Sequence, residues 1–72
     1  MSFSVPNGYV VFSKSKCPNC DTLWVKLTSK GIKFTEIKVD EDTEAREFLV
    51  GQGFRSVPVL FVDGENVPVN VV

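Results

Sequence analysis

In the stretch YVVFSKSKCPNC, residues 9–20, an apolar run of four residues leads through a short polar segment to a Cys-x-x-Cys pair. The run is rich in aromatic and β-branched residues, which favour a buried strand. After Pro18, apolar residues recur with the spacing of one helix face, at Cys20, Leu23, Trp24 and Leu27. The stretch therefore predicts a strand that turns directly into a helix, with the first cysteine at the turn.

The remaining residues predict a second helix and three further strands. The first helix should end at Gly31 and the second should span residues 43–50, after capping by Asp40-Glu41-Asp42. Strands are predicted over 33–39, 57–62 and, after a tight turn at Asp63-Gly64, over 67–72. The second strand should run parallel to the first, and the fourth should return antiparallel. We therefore expect an α/β fold with the order β-α-β-α-β-β and a four-stranded mixed sheet.

The predicted core is aromatic and aliphatic. It includes the apolar stripe of the second helix and four phenylalanines, and Trp24 is expected to pack with them on the first helix. These residues are Ala45, Leu49, Phe12, Phe34, Phe48 and Phe61.

Composition excludes several classes of protein. The 72 residues are 43% hydrophobic, enough for one small globular domain, residues 1–72. Eight basic and nine acidic residues give a net charge of −1, which offers no support for nucleic-acid binding. No apolar run approaches the roughly 20 residues of a membrane span, and the N-terminus does not resemble a signal peptide. We therefore expect a cytoplasmic protein in a reducing compartment, and a monomer.

The two cysteines favour redox chemistry over a structural role. A helix N-terminus favours the thiolate of Cys17, which makes it the candidate nucleophile, and Cys20 would resolve the intermediate. A stabilising disulfide is a weak alternative, because a loop this short removes little entropy from the unfolded chain. Half of a zinc site is another, but the chain has no histidine and no further cysteine.

Two motifs together resemble the glutaredoxin family of the thioredoxin superfamily. Phe12 to Cys20 is similar to the active-site stretch of that family, and Ser56 to Gly64 is similar to its second signature, whose proline is cis and faces the dithiol. The resemblance covers about residues 9–64. It implies a thioredoxin-like fold and a dithiol oxidoreductase that needs no tightly bound cofactor.

A finer resemblance concerns Gly51-Gln52-Gly53-Phe54-Arg55, directly before the second signature. This segment is similar to the NrdH-redoxins, which take electrons from thioredoxin reductase and pass them to ribonucleotide reductase. The segment 65–70 lacks the Gly-Gly pair and acidic residue with which glutaredoxins hold glutathione, and we expect the third helix of that family to be absent from residues 1–72. We therefore do not expect high-affinity glutathione binding. The tail also lacks the Trp-Ser-Gly-Phe-Arg-Pro-type stretch of NrdH-redoxins.

Further site residues follow from the resemblance and from position. Lys14 matches the family lysine that meets a substrate or glutathione carboxylate, and the backbone of Val57, before Pro58, could pair with a substrate strand. The other candidate substrate-binding residues are Pro18, Asn19 and Arg55.

These residues and the resemblance together predict a thiol–disulfide oxidoreductase that acts on protein disulfides. The resemblance to NrdH-redoxins alone implies ribonucleotide reductase as its partner. Electrons would come from glutathione or from a thioredoxin-reductase-type flavoenzyme. Alternatives are a glutathione-dependent reductant of mixed disulfides, a non-catalytic peptide-docking module that uses the Val57-Pro58 groove, and a metal chaperone or cluster scaffold.

Overall fold

The computed structural model describes residues 3–71. Its elements are β1 Tyr9–Ser13, α1 Pro18–Ser29, β2 Phe34–Lys38, α2 Thr43–Gly51, β3 Val59–Val62, β4 Glu65–Val67 and a short 3-10 turn, Val69–Val71. The four strands form one sheet in the order β2-β1-β3-β4, in which β1 pairs parallel with β2 while β3 is antiparallel to β1 and β4. The predicted order of elements and the mixed sheet are confirmed. Neither α-helix in residues 3–71 has the length and hydropathy needed to cross a membrane.

Capping residues define both helices. Pro18 occupies the first position of α1, where its missing N–H removes no helical hydrogen bond. At α2, Asp42 Oδ1 accepts a hydrogen bond from Ala45 N–H at 3.1 Å. Each helix ends in a Schellman motif around a glycine of positive φ, Gly31 at +71° and Gly53 at +92°. These caps fix where the chain leaves each helix.

The central strand β1 is buried on both faces, and its side chains alternate between two apolar clusters. On the α2 face, Val10 and Phe12 pack with Ala45 and Leu49 of α2 and with Val59 and Phe61 of β3. On the α1 face, the cluster contains Val11, Leu23, Leu27 and Leu60. The sheet is thus a rigid middle layer from whose end the dithiol segment projects.

The predicted bounds of the last two strands are wrong. The strand predicted over 57–62 begins at Val59, and the one predicted over 67–72 lies at Glu65–Val67. Residues 63 and 64, both of positive φ, form a two-residue turn, so pairing resumes at once with Val62 opposite Glu65. Pro68 has no N–H to donate and follows the last residue of β4. Residues 69–71 form the 3-10 turn, and residue 72 lies outside the described part of the chain.

The prediction that Trp24 packs in the core is also wrong. Its side chain is 45% exposed and meets the ring of Phe34 edge-on, with ring centroids 6.2 Å apart. Phe34 belongs to the edge strand β2, and among residues 3–71 no further strand lies beyond β2 to cover the outer part of the indole. Phe34 and Phe48 are half-buried at the borders of their clusters, whereas Phe12 and Phe61 are buried as predicted.

Candidate functional site

The cysteine pair lies at the junction of the segment after β1 with helix α1. Cys17 is the N-cap of α1, with extended backbone at φ −118° and ψ 98°, and Cys20 lies in the first turn. The two cysteines form a disulfide with a Cα–Cα separation of 5.2 Å. We call Cys17-Pro18-Asn19-Cys20 the dithiol turn. Within residues 3–71, no group of three or more His, Cys, Asp or Glu side chains is placed to hold a metal ion.

The helix start gives the two sulfurs different surroundings. Cys20 N–H donates a hydrogen bond to Cys17 Sγ at 3.2 Å, so the sulfur of Cys17 occupies the place of an N-cap acceptor. Negative charge at this position is favoured by the unpaired N–H groups of the helix N-terminus. Cys17 is 7% exposed and Cys20 is 3% exposed. Cys17 is thus the slightly more exposed residue of the pair, and its sulfur is the one that accepts a hydrogen bond at the helix N-terminus.

A polar contact holds the segment before the dithiol turn. Ser15 N–H donates to Asp40 Oδ2 at 3.2 Å, and Lys16 adopts a left-handed conformation at φ +57°. Hydrogen bonding from Ser15, its side chain first and its N–H also, holds the pKa of Asp40 below the usual range, while desolvation acts in the opposite direction. The segment is thus tied to the end of β2 immediately before the reactive cysteine.

On one side of the dithiol turn lies a groove of about 240 Å³, which we call the proline groove. Asn19 and Pro58 both line it, so the structure brings the proline of the second motif beside the dithiol turn. The Val57–Pro58 peptide bond is cis, as the resemblance implies. The remaining lining residues are Thr22, Leu23, Lys26 and Val69.

A second cavity, of about 300 Å³, brings three other predicted site residues together: Lys14, Arg55 and Val57. We call it the basic cleft. Its remaining lining residues are Val39, Arg46, Leu49, Val50, Phe54 and Ser56. The sequence did not single out Arg46 or Val50. Their spacing of four places them on one face of α2, but only the packing of α2 on the sheet shows that this face meets Lys14.

A family model, glutaredoxin, matches residues 9–67, which include both cysteines and Pro58. The chain belongs to the glutaredoxin family. Members of this family are thiol–disulfide oxidoreductases, and the Cys17–Cys20 pair has the Cys-x-x-Cys form of such a centre.

Relatives of this chain include both glutaredoxins and NrdH-redoxins. The glutaredoxin-like protein NrdH of Lactococcus lactis subsp. cremoris is 38% identical over 53 residues, covering 74% of each chain. Among solved structures, the glutaredoxin-like NrdH-redoxin of Escherichia coli, described as having a thioredoxin-like activity profile, superposes with a TM-score of 0.79 at 26% identity, covering 89% of this chain and 92% of its own. A buckwheat glutaredoxin in complex with glutathione gives a TM-score of 0.73 at 28% identity, covering 85% of this chain and 59% of its own. The thioredoxin-like fold is confirmed.

Proposed function

We propose that this glutaredoxin-family protein reduces protein disulfides by dithiol exchange, with Cys17 as the nucleophile and Cys20 as the resolving thiol. The observation that carries the assignment is the hydrogen bond from Cys20 N–H to Cys17 Sγ at the start of α1. In the reduced protein this donor would stabilise negative charge on Cys17 Sγ, and the disulfide of the structure lies between the same two sulfurs that the proposed exchange joins.

The proposed exchange consists of two successive thiol–disulfide exchange steps. The Cys17 thiolate attacks one sulfur of the substrate disulfide, forms a mixed disulfide and releases the other substrate sulfur as a thiolate. The Cys20 thiolate then attacks Cys17 Sγ, which releases the second substrate thiolate and leaves the Cys17–Cys20 disulfide. Two electrons pass from the protein to the substrate, and the released thiolates take up protons from solvent.

The substrate would lie across the dithiol turn and the segment before β3. The ladder between β1 and β3 begins at Val59, so the backbone of Val57 lies outside it, and its N–H and C=O would pair with an added strand of the substrate. Asn19 and Pro58 would form one wall through the proline groove, with Pro18 shaping the turn. Lys14 and Arg55, in the basic cleft, would meet substrate carboxylates.

For the electron source, we propose a thioredoxin-reductase-type flavoenzyme, with glutathione as the alternative. The first is supported by the NrdH relatives and by the thioredoxin-like activity profile described for the E. coli NrdH-redoxin. The second is supported by the buckwheat glutaredoxin complex with glutathione. By its resemblance to NrdH-redoxins, the protein would act as a cytoplasmic monomer, one domain over residues 1–72, and would donate electrons to ribonucleotide reductase.

Parallel reduction of the oxidised protein tests this proposal. One reaction contains NADPH and thioredoxin reductase, and the other contains NADPH, glutathione reductase and glutathione, with NADPH consumption as the readout. Turnover with the first system alone supports the flavoenzyme assignment and makes ribonucleotide reductase the partner to assay. Turnover with the second alone assigns glutathione. Reduction by neither, with thiol titration showing two intact cysteines, would contradict a general reductant and favour a docking module.

A further inference from the structure

Residues 14–16 connect two anchored parts of the chain. On one side, Ser13 O accepts a hydrogen bond from Val39 N–H at 2.8 Å, which extends the pairing of β1 with β2. On the other side, Cys17 O accepts from Asp21 N–H at 3.1 Å and so begins the hydrogen bonding of α1. The conformation of these three residues therefore decides how Cys17 is presented at the helix start.

Lys16, directly before Cys17, has an unfavourable backbone conformation. Its φ of +57° lies in the left-handed region, which is uncommon for a residue with a Cβ. Among residues 3–71, the other non-glycine residue of positive φ is Asp63, a residue type that tolerates this region and lies in a two-residue turn. Lys16 has neither feature, and because its side chain is exposed, burial does not fix its backbone either. Such a conformation beside a reactive group indicates a functional constraint.

Asp40 is placed to hold this conformation. Within the described part of the chain it is the only hydrogen-bond partner of residues 14–16, through the contact of its Oδ2 with Ser15 N–H at 3.2 Å. Its own position is fixed by the turn after β2, in which Asp42 N–H donates to Lys38 O at 2.9 Å. The segment before the dithiol turn is thus bonded to a carboxylate that the sheet holds in place.

We propose that Asp40 is a positioning residue for Cys17, the proposed nucleophile. By binding Ser15 N–H it holds Lys16 in the left-handed conformation, and so keeps the sulfur of Cys17 at the N-terminus of α1. This role rests on the proposed function and adds to it a residue, outside the dithiol turn, that sets the reactivity of Cys17. Without the contact, Lys16 relaxes to a negative φ and the chain enters α1 along a different path. The sulfur of Cys17 then lies less often where it can accept the hydrogen bond from Cys20 N–H.

The position and the charge of Asp40 have opposite effects on Cys17. A carboxylate near a thiolate disfavours it, so loss of the charge alone would lower the pH at which Cys17 becomes reactive. Loss of the position raises that pH, because the thiolate is favoured only at the helix start. For a residue with a Cβ the left-handed conformation is disfavoured by a factor of about ten, so its loss corresponds to a rise of about one pH unit.

The test measures, as a function of pH, the rate at which iodoacetamide alkylates the reduced protein. The parent carries Cys20→Ser, as does every variant, so that Cys17 is the only thiol. Asp40→Ala should raise the midpoint of the pH profile by about one unit. Asp40→Asn should not raise it, because asparagine keeps an acceptor oxygen for Ser15 N–H. Glu41→Ala removes an exposed carboxylate from the same turn and serves as the matched control.

Two double variants test the part played by Lys16. Glycine adopts a positive φ without steric cost, so Lys16→Gly should restore a low midpoint to Asp40→Ala. Lys16→Ala removes the same charge but keeps a Cβ, and should leave the midpoint about one unit higher than Lys16→Gly does. Circular dichroism shows whether each variant is folded. If Asp40→Ala does not fold, Lys16→Gly is compared with Lys16→Val in protein that retains Asp40, and valine should give the higher midpoint.

The outcomes distinguish failure of the positioning role from failure of the proposed function. A low midpoint in the parent that Asp40→Ala does not raise would overturn the role of Asp40 and leave Cys17 as the nucleophile. Equal midpoints for Lys16→Gly and Lys16→Ala would do the same, since the left-handed conformation would then have no effect. An ordinary midpoint of about 8.5 in the parent would contradict the activation of Cys17 itself, and both would fail.

Discussion

Ser15 donates its backbone N–H to Asp40 Oδ2 at 3.2 Å, which joins the segment before the dithiol turn to the turn that follows β2. The contact spans 25 positions of sequence and lies two residues before Cys17. It therefore ties the position of the reactive cysteine to the edge of the sheet, and the ionisation of Asp40 to the geometry of that segment.

Asp40→Asn should destabilise the folded protein at neutral pH and have little effect in acid. The pKa of Asp40 is lowered in the folded state by hydrogen bonding from Ser15. Its carboxylate therefore contributes stability above the unfolded-state pKa, and this contribution is lost as pH falls through the folded-state pKa. Urea unfolding of both proteins across this range measures the difference. Glu41→Gln, at the neighbouring exposed carboxylate, is the control, and a difference between Asp40→Asn and wild type that does not change with pH would contradict the assignment.

Cys20→Ser should trap substrate proteins as stable mixed disulfides, and Cys17→Ser should trap almost none. With Cys20 removed, the intermediate on Cys17 has no resolving thiol, whereas Cys17→Ser removes the sulfur that the helix N-terminus activates. Each variant is incubated with insulin whose disulfides are intact. Non-reducing electrophoresis and mass spectrometry then count the mixed-disulfide adducts. Equal trapping by both variants would mean that either sulfur can attack, against the roles assigned here.

The parts of the fold that depend only on residues adjacent in sequence were predictable. The turn from β1 into α1, the capping by Asp42 and the two-residue turn at 63–64 each follow from local residue types, and each is present. The start of the fourth strand was predicted two residues too late, at residue 67 instead of residue 65. The two-residue turn imposes the register instead, so β4 begins immediately after it.

Features that depend on how the elements pack could not be read from local pattern. Helical spacing places Trp24 on the apolar stripe of α1, but its exposure is set by the edge position of β2 beneath it. Likewise, Arg46 lies on the polar side of α2 by sequence, and only the folded chain places it in the same cleft as Lys14. The reactive pair was identified because its chemistry is local, whereas the cleft combines residues from distant segments.

Gly64→Ala and Gly51→Ala should change stability in opposite directions. Gly64 has a φ of +85° in the turn between β3 and β4, a region that costs a residue with a Cβ about 1–2 kcal/mol. Gly51 ends α2 without a positive φ, and nothing lies within 4 Å of an added Cβ. Alanine there should stabilise by about 0.4–1 kcal/mol, since it restricts the unfolded chain. Chemical denaturation of both variants measures the sign of each change in the free energy of unfolding. If Gly51→Ala also destabilises the protein, then α2 does not end at residue 51 as described here.

Phe12→Ala should cost far more stability than Trp24→Ala, although the sequence predicted both side chains in the core. Phe12 is fully buried, with its ring centroid 5.9, 6.0 and 5.5 Å from those of Phe3, Phe48 and Phe61. Truncating such a residue typically costs about 3–5 kcal/mol.

The expected loss for Trp24→Ala is smaller, about 1–2 kcal/mol. Its side chain is 45% exposed and has one aromatic neighbour, and an edge-on pair contributes about 0.5–1.5 kcal/mol beyond burial. Trp24 is the only tryptophan, so unfolding of both variants must be followed by far-ultraviolet circular dichroism rather than by fluorescence. A protein of this size is stable by only about 4–11 kcal/mol, so Phe12→Ala removes a large share of its stability and should unfold at a much lower denaturant concentration than Trp24→Ala. Equal losses would mean that Trp24 is held more tightly than its contact with the edge strand implies.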